Sequence, residues 1–507
     1  MTRTVAVVGA GPAGLAAAVT AAEEGMTVTL IDAGAQSGGQ FWRHPSEAHR
    51  SGFARDESAG HHHWARFVDL RTRLEAQVVR GRVRWLTGRQ VWNILRGDSG
   101  FVLHTAAVVG ADPLPAAARA VSAERVVLAT GAYDRQLPVP GWTLPGVMAA
   151  GGVQALVKAH QVAPGRRAVV AGTGPFLLTV AAGLAAAGVE VVAVCEANSL
   201  RRWARRPLPL ALEPGKLVEG VEYARTFVRH RIPFRPRTIV TRVHGDQRAV
   251  AVSLSKVDAR GRPTGEPVRV DADLVAFGWG FTPQLELAVA LGLRTRIDVD
   301  GSLVVDVDPH LRASLPGIYA AGEATGVGGA VQSWTEGELA ARTAVSDAGG
   351  AEATSRRRAL RRRISRARTF ARAMHAASPV PAEWSSWLDG DTLVCRCEEV
   401  DVAAVAEVVE AQRAEDPRDV RVTARPGMGW CQGRVCGFAV SSLVSERTGC
   451  RWSTAQIEPL HKRPVGVPIP LGELAALAAT TPAAPEPALP ASDAGAAVAS
   501  APSSDPS

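Results

Sequence analysis

Val5-Ala6-Val7-Val8-Gly9-Ala10-Gly11-Pro12-Ala13-Gly14 is the stretch on which the fold turns. Its four leading apolar residues read as a buried parallel strand, and Leu15–Glu24 reads as a helix packed on it. A second strand follows at Thr27–Ile31 and ends at Asp32. Strand, G-x-G-x-x-G turn, helix, strand and terminal acid together form a dinucleotide-binding unit. Gly9 permits the tight turn. Gly11, with Pro12 and Ala13 beside it, brings bare backbone up to a pyrophosphate, and Gly14 lets helix and strand approach. The helix N-terminus supplies free N–H groups. Asp32, 21 residues beyond Gly11, is placed to accept ribose hydroxyls and to repel a 2′-phosphate.

A second, weaker copy runs Ala168-Val169-Val170-Ala171-Gly172-Thr173-Gly174-Pro175-Phe176-Leu177. Leu177 stands where the third glycine belongs, which predicts looser helix–strand packing. The strand Glu190–Val194 then ends in Cys195-Glu196. Glu196 favours NAD over NADP, whereas the nearby Arg201 and Arg202 argue the other way. A degenerate domain that binds nothing is the alternative. Gly38-Gly39-Gln40, Val126–Gly131 and Ile318–Glu323 add further glycine turns, the last two after short strands. The alternation of apolar and Ala-rich runs predicts an α/β fold with two Rossmann-like domains. The expected boundaries are 1–143 with 269–350 for the first, Asp273–Gly280 returning the chain to it, and 144–268 for the second. A linker with an Arg-rich helix is expected over 351–390, a small helical cysteine domain over 391–462, and a largely disordered tail over 463–507.

Composition limits the rest. A length of 507 residues, 46% hydrophobic and 21% charged, suits about three globular domains. Six cysteines are too sparse for a disulfide scaffold. The net charge of +8 hints at an anionic partner, but only four of the 57 Lys+Arg residues are lysine (Lys158, Lys216, Lys256, Lys462). Such an arginine excess reflects coding bias, so no nucleic-acid partner is expected. The apolar stretches at the N-terminus and at Ala168–Val189 are both broken by glycine turns. No membrane span and no targeting signal are expected, and the cytoplasm is the default location. His61-His62-His63 reads as a surface loop or helix start.

Five of the six cysteines fall late in the chain. Cys395-Arg396-Cys397 and Cys431-Gln432-Gly433-Arg434-Val435-Cys436 give C-x-C, 33 residues, then C-x4-C. Four thiolates suit a [2Fe–2S] cluster or zinc, and C-x-C is unusual for structural zinc. Plain thiols are the remaining alternative. Helical patterns at Val402–Arg413 and Phe438–Arg447 follow the two pairs. Cys195 reads as a buried core thiol and Cys450 as a structural one. No C-x-x-C or C-x4-C pair precedes Cys395.

The two nucleotide units, the Ala129-Thr130-Gly131 turn and the late Gly322-Glu323 resemble the thioredoxin- and glutathione-reductase group of flavoproteins. That resemblance implies FAD in the first unit. Gly9, Gly11, Pro12, Ala13, Gly14, Asp32, Gly39, Gln40, Val91, Thr130, Gly131, Gly322, Glu323 and Ala330 would line it. Gly172, Gly174 and Glu196 would line the second. Glu323 replaces the usual Asp on the ribityl chain and is one methylene longer. The cysteine segment resembles the bacterioferritin-associated-ferredoxin-like [2Fe–2S] domain, with Cys395, Cys397, Cys431 and Cys436 as ligands. Together the parts resemble the α subunits of heteromeric amino-acid dehydrogenases and oxidases, such as opine oxidase, D-hydroxyproline dehydrogenase, dye-linked proline dehydrogenase and the hydrogen cyanide synthase middle subunit. The match runs from residue 1 to about 472, most specifically at Ala129–Gly146, Gly322–Ala330, Cys395–Val400 and Pro426–Gly437. It implies a glycine-oxidase-like β subunit that oxidises the substrate, a small ferredoxin-like γ subunit in some complexes, and FMN between subunits. Some relatives hold NAD or ATP in place of FAD. No acid–base pair or nucleophile in this chain stands out as catalytic.

Overall fold

The computed structural model describes residues 3–47, 60–97, 99–108, 119–206, 212–350, 354–450, 453–463 and 465–478. Two five-stranded parallel sheets form its frame. The first has the order Ile318–Ala320, Arg125–Leu128, Thr4–Val8, Thr27–Ile31, Val83–Leu86. Thr4–Val8 is central, and its residues Val5 to Val8 are buried, as a parallel strand covered on both faces must be. The fingerprint helix Pro12–Glu23 and the closing helix Ala330–Asp347 cover one face. They cross so closely that a Cβ on Gly337 would stand 1.9 Å from the Ala13 carbonyl oxygen.

The second sheet has the order Phe234–Pro236, Glu190–Glu196, Arg167–Gly172, Leu274–Gly278, Val147–Ala149. Leu274–Gly278 thus belongs to the second unit, beyond the expected boundary at residue 268. Without it, Arg167–Gly172 would present an open apolar edge, and every residue of Leu274–Gly278 is buried. The expected loose packing at Leu177 is also corrected. Leu177 is fully buried, and bare Gly278 faces it, where a Cβ would come within 3.0 Å of Leu177 Cδ2. The space that a third glycine would have left is provided from the neighbouring strand.

Two three-stranded antiparallel sheets flank these units, Arg89–Gly97/Gly100–Ala107/Ala120–Ala123 and Thr238–His244/Ala251–Val257/Pro263–Asp271. The Arg-rich helix spans Thr354–Ala377 and buries Leu360, Ile364 and Phe370. The cysteine segment adds helices at Val402–Gln412, Pro417–Ala424, Gly437–Thr448 and Thr454–His461. It shares one core with the second nucleotide unit. Trp279 meets Trp387 with ring centroids 5.4 Å apart, and Trp142 Nε1–H donates to the Leu393 carbonyl at 2.7 Å.

The expected disordered tail starts too early. Gly466 N–H donates to the Trp92 carbonyl at 2.7 Å, which ties this residue to the strand Arg89–Gly97. Ile469–Ser507 forms a separate unit in which Leu471–Ala478 is helical, and residues 479–507 lie outside the described residues. Among the described residues, no helix is long and apolar enough to cross a membrane.

Candidate functional site

The first glycine turn is built as the sequence requires. Gly9 has φ +104°, and a Cβ there would lie 2.3 Å from the Ala129 carbonyl oxygen. Gly11 has open space before it, with Gly39 Cα 4.0 Å from the position of a Cβ. Gly39, at φ +58°, lies against it, where a Cβ would stand 2.8 Å from Gly11 Cα. Two backbones without side chains therefore border the groove above the helix N-terminus, a shape that any side chain would fill. Pro12 opens the helix and Ala13 is buried in its first turn. Asp32 Oδ2 accepts from Ala10 N–H at 2.5 Å and Oδ1 from Gly34 N–H at 2.6 Å. Each oxygen keeps a further lone pair for a ribose hydroxyl. Burial pushes the Asp32 carboxyl up, against the pull of those two N–H groups.

At the far end of the groove, Thr130 Oγ1–H donates to the Gln284 carbonyl at 2.7 Å. Gly131, at φ +78°, has nothing within 4 Å of a Cβ position. Gln40 is exposed and its side-chain oxygen accepts from Arg43. Val91 sits on the strand Arg89–Gly97 with its side chain in a core shared with Val8 and Ile31. Gly322 N–H donates to Glu336 Oε2 at 2.9 Å, and Glu336 Oε1 is bound by Arg368 of the Arg-rich helix.

Glu323 uses its extra methylene to reach the closing helix. Its Oε1 accepts from Gly329 N–H at 2.9 Å, just before Ala330 opens that helix, and its Oε2 is buried without a partner. Burial foremost, then the charges of Glu336 and Asp300, push its carboxyl up to about 7. A raised folded-state pKa stabilises the protonated form. The stability is therefore full below the ordinary carboxyl range and lost as pH rises through about 7. Melting the ligand-free chain at pH 5 and pH 8 should show a fall on the order of 3 kcal/mol for the native side chain. Glu323→Gln should flatten that fall, and parallel profiles for the two proteins would refute the assignment.

The second glycine turn is closed. Glu196 is 6% exposed, and its Oε2 accepts from Gly174 N–H at 2.7 Å. Its Oε1 accepts from Asn198 N–H at 2.9 Å and Asn198 Nδ2–H at 3.1 Å. Asn198 Nδ2–H also donates to the Pro379 carbonyl at 2.9 Å. Ser378 Cβ lies 3.8 Å from where a Cβ on Gly174 would stand. Gly172, at φ +146°, packs onto the Gly278 carbonyl. The segment that follows the Arg-rich helix thus lies against this turn. Arg201 and Arg202 open a short helix, Arg201–Ala204, beside it.

The four cysteines converge. Cys436 lies beside Cys395 and Cys431, and Cys397 Sγ lies 3.7 Å from Cys431 Sγ. The Cys436 thiol holds Cys395 down to about 6 and Cys431 down to about 5, and its own value rises in turn. Gly427 N–H points at Cys395 Sγ at 3.4 Å. A Cβ on Gly429 would fall 2.4 Å from Cys397 Cβ, so only bare backbone lets the loop close over the thiols. The sulfurs form a string of pairwise contacts. Among the described residues, no group of three or more His, Cys, Asp or Glu is arranged to hold a metal ion. The expected core thiol Cys195 is fully buried, and burial pushes it up to about 12; Cys450 is exposed, which corrects its expected structural role.

Residues to which the sequence reading gave no role join this loop to the first nucleotide unit. Arg434 pairs with Glu286 at 2.7 Å and donates to Tyr133 Oη at 2.9 Å. Tyr133 is two residues beyond Gly131. Arg135 forms a second buried pair with Asp300 at 2.8 Å and lies over the Phe438 ring at 4.1 Å. Neither pair follows from spacing, because the partners lie far apart in the chain. His63 caps the start of the helix Trp64–Val79 at φ 59°, and His62 Nε2 meets Tyr223 Oη of the second unit at 2.7 Å.

Residues 3–347 match the pyridine nucleotide-disulphide oxidoreductase family. The chain belongs to that family. It is therefore an oxidoreductase. The hydrogen cyanide synthase subunit HcnB of Pseudomonas aeruginosa is 31% identical over 463 residues, which cover 87% of this chain and 93% of that one. An opine oxidase subunit of Rhizobium meliloti is 32% identical over 482 residues, covering 93% and 98%. Among solved structures, L-proline dehydrogenase from P. horikoshii superposes with a TM-score of 0.64 over 94% of this chain and 79% of its own, at 19% identity. At that identity the likeness shows the fold of this oxidoreductase alone.

Proposed function

We propose that the chain is the electron-transferring subunit of a heteromeric dehydrogenase or oxidase that acts on the CH–NH bond of an amino acid, imino acid or opine. The four-thiol loop, docked on the first nucleotide unit in a chain whose relatives are named as subunits, carries this reading. The bare backbone of Gly11 and Gly39, side by side at the helix N-terminus, would border the pyrophosphate of FAD, with Asp32 on the ribose and Glu323 Oε2 free for the ribityl side. Bound FAD would accept two electrons and release them singly. Cys395, Cys397, Cys431 and Cys436 supply the four thiolates that a [2Fe–2S] cluster takes as ligands, and such a cluster would relay single electrons. The chain's own residues bind and orient these groups. A β partner of the glycine-oxidase-like type would carry the substrate site, with FMN at the subunit boundary and a ferredoxin-like γ subunit completing some assemblies. Co-purification from the native host, followed by cofactor extraction, tests this directly. A flavin-bearing partner together with iron supports it; zinc in place of iron, or no partner, overturns it.

One observation favours a second occupant of the first site. Glu323 places a carboxylate on the N-terminus of the closing helix, where it competes with a ligand for the Gly329 N–H. NAD or another adenine nucleotide, which needs only the Gly11–Gly39 groove and Asp32, would avoid that competition. Extraction separates the two by the flavin spectrum.

The closed second turn argues against a self-sufficient NADH-dependent reductase. Glu196 has little accepting capacity left, and Ser378-Pro379 lies where a pyridine nucleotide would enter. NADH added anaerobically to the isolated chain should leave any bound flavin oxidised. Rapid bleaching would instead establish the reductase.

A further inference from the structure

Arg463 has no carboxylate partner among the described residues, although it is only 7% exposed. Its Nη1–H donates to the Lys462 carbonyl at 2.9 Å and its Nη2–H to the Gln432 carbonyl, while Nε is buried without a partner. Gln432 follows Cys431 directly. Gly433, the next residue, leaves room for the guanidinium, since a Cβ there would stand 3.3 Å from Arg463 Nη2. Arg463 also lines a small cavity together with Gly427, Gly433 and Cys436. Of the other guanidiniums near this loop, Arg434 is neutralised by Glu286, and Arg421 lines the same cavity. A buried guanidinium costs several kcal/mol unless an opposite charge answers it. Two carbonyl oxygens accept from its Nη1 and Nη2, but they carry no opposite charge and form no ion pair with it.

We propose that Arg463 is the counter-charge of the four-cysteine centre, held beneath the C-x4-C loop to offset the negative charge that gathers there. The proposal rests on the reading that this loop carries a [2Fe–2S] cluster. Four thiolates and two bridging sulfides outweigh two ferric ions, and reduction adds one more negative charge. A fixed cation nearby therefore stabilises the reduced form more than the oxidised form and raises the reduction potential. Arg463 is a positioning residue of the redox centre. It touches the loop rather than the thiols, and it enters the site from beyond the cysteine segment.

The test uses the full chain, purified with its iron, in a redox titration followed by electron paramagnetic resonance. With the ambient potential held at the wild-type midpoint, R463Q should lower the ratio of reduced to oxidised cluster by about tenfold. R463K should recover most of that loss, with iron content and melting temperature unchanged. A midpoint in R463Q equal to the wild-type value, at equal iron, overturns the proposal and leaves the cluster reading standing. Loss of iron from both variants makes Arg463 merely structural and also overturns it. Wild-type chain without iron or signal removes the cluster reading, and the proposal falls with it.

Discussion

On the proposed [2Fe–2S] reading, Cys397→Ser should leave a folded chain without iron. Cys397 is exposed, so a hydroxyl in place of the thiol disturbs no packing. Its sulfur nevertheless ends the string of contacts through Cys431 and Cys436 to Cys395. A serine hydroxyl stays protonated near neutral pH and is a poor ligand for iron, whereas Cys395 and Cys431 are already biased towards thiolate. Bound iron per chain should fall by more than about tenfold, and the visible absorbance of the centre should go with it. Cys450→Ser is the control. Cys450 is also exposed but stands outside the pattern, so iron should be retained in full. Iron assay and melting temperature on the two variants decide the matter. Equal iron in both would mean that the four thiols do not act as one site.

Gly14→Ala and Gly11→Ala should separate folding from binding, although the two glycines lie three residues apart. A Cβ on Gly14 would stand 1.7 Å from the Gly9 carbonyl oxygen and 2.8 Å from its carbonyl carbon. Neither atom belongs to a flexible side chain, so the helix must move off the central strand. The expected cost exceeds about 3 kcal/mol, read as a large fall in melting temperature or as insoluble protein. At Gly11 the nearest atom lies 4.0 Å away and φ is −73°, so alanine fits without strain. That methyl group would, however, project into the groove opposite Gly39. Gly11→Ala should fold with near-wild-type stability yet retain less than about a tenth of the extracted nucleotide. Full retention of nucleotide in Gly11→Ala would place the ligand elsewhere.

Features set by local backbone chemistry were legible in the sequence. The first glycine turn, the strands on either side and the acid at Asp32 all lie within about thirty residues, and each constrains the next. The cysteine spacing was legible for the same reason, as two short pairs that a helix and a loop can bring together. Features that depend on distant partners were not. Leu177 suggested loose packing, but the compensating Gly278 lies on a strand a hundred residues later. Glu196 looked like a second ribose acid until Asn198 and the segment at Ser378-Pro379 were seen to enclose it. Arg463 fell in a stretch that composition assigns to a tail. No local pattern signals that it turns back beneath the loop at Gln432. Gly337 had a weak signal, a glycine inside a long helix, and the close approach to Ala13 accounts for it.

The core shared by the cysteine segment and the second nucleotide unit bears on how the protein is made. Trp279, Trp387 and Trp142 bind the two regions into one apolar body. That body contains Cys395 and Cys436 themselves. The thiols therefore reach their final spacing only after the ribosome has delivered residues 137–444 and those tryptophans have packed. On the proposed [2Fe–2S] reading, iron insertion would wait for that event. A substitution such as Trp279→Ala, outside the cysteine segment, should then appear first as a chain that matures too slowly to be loaded in the cell.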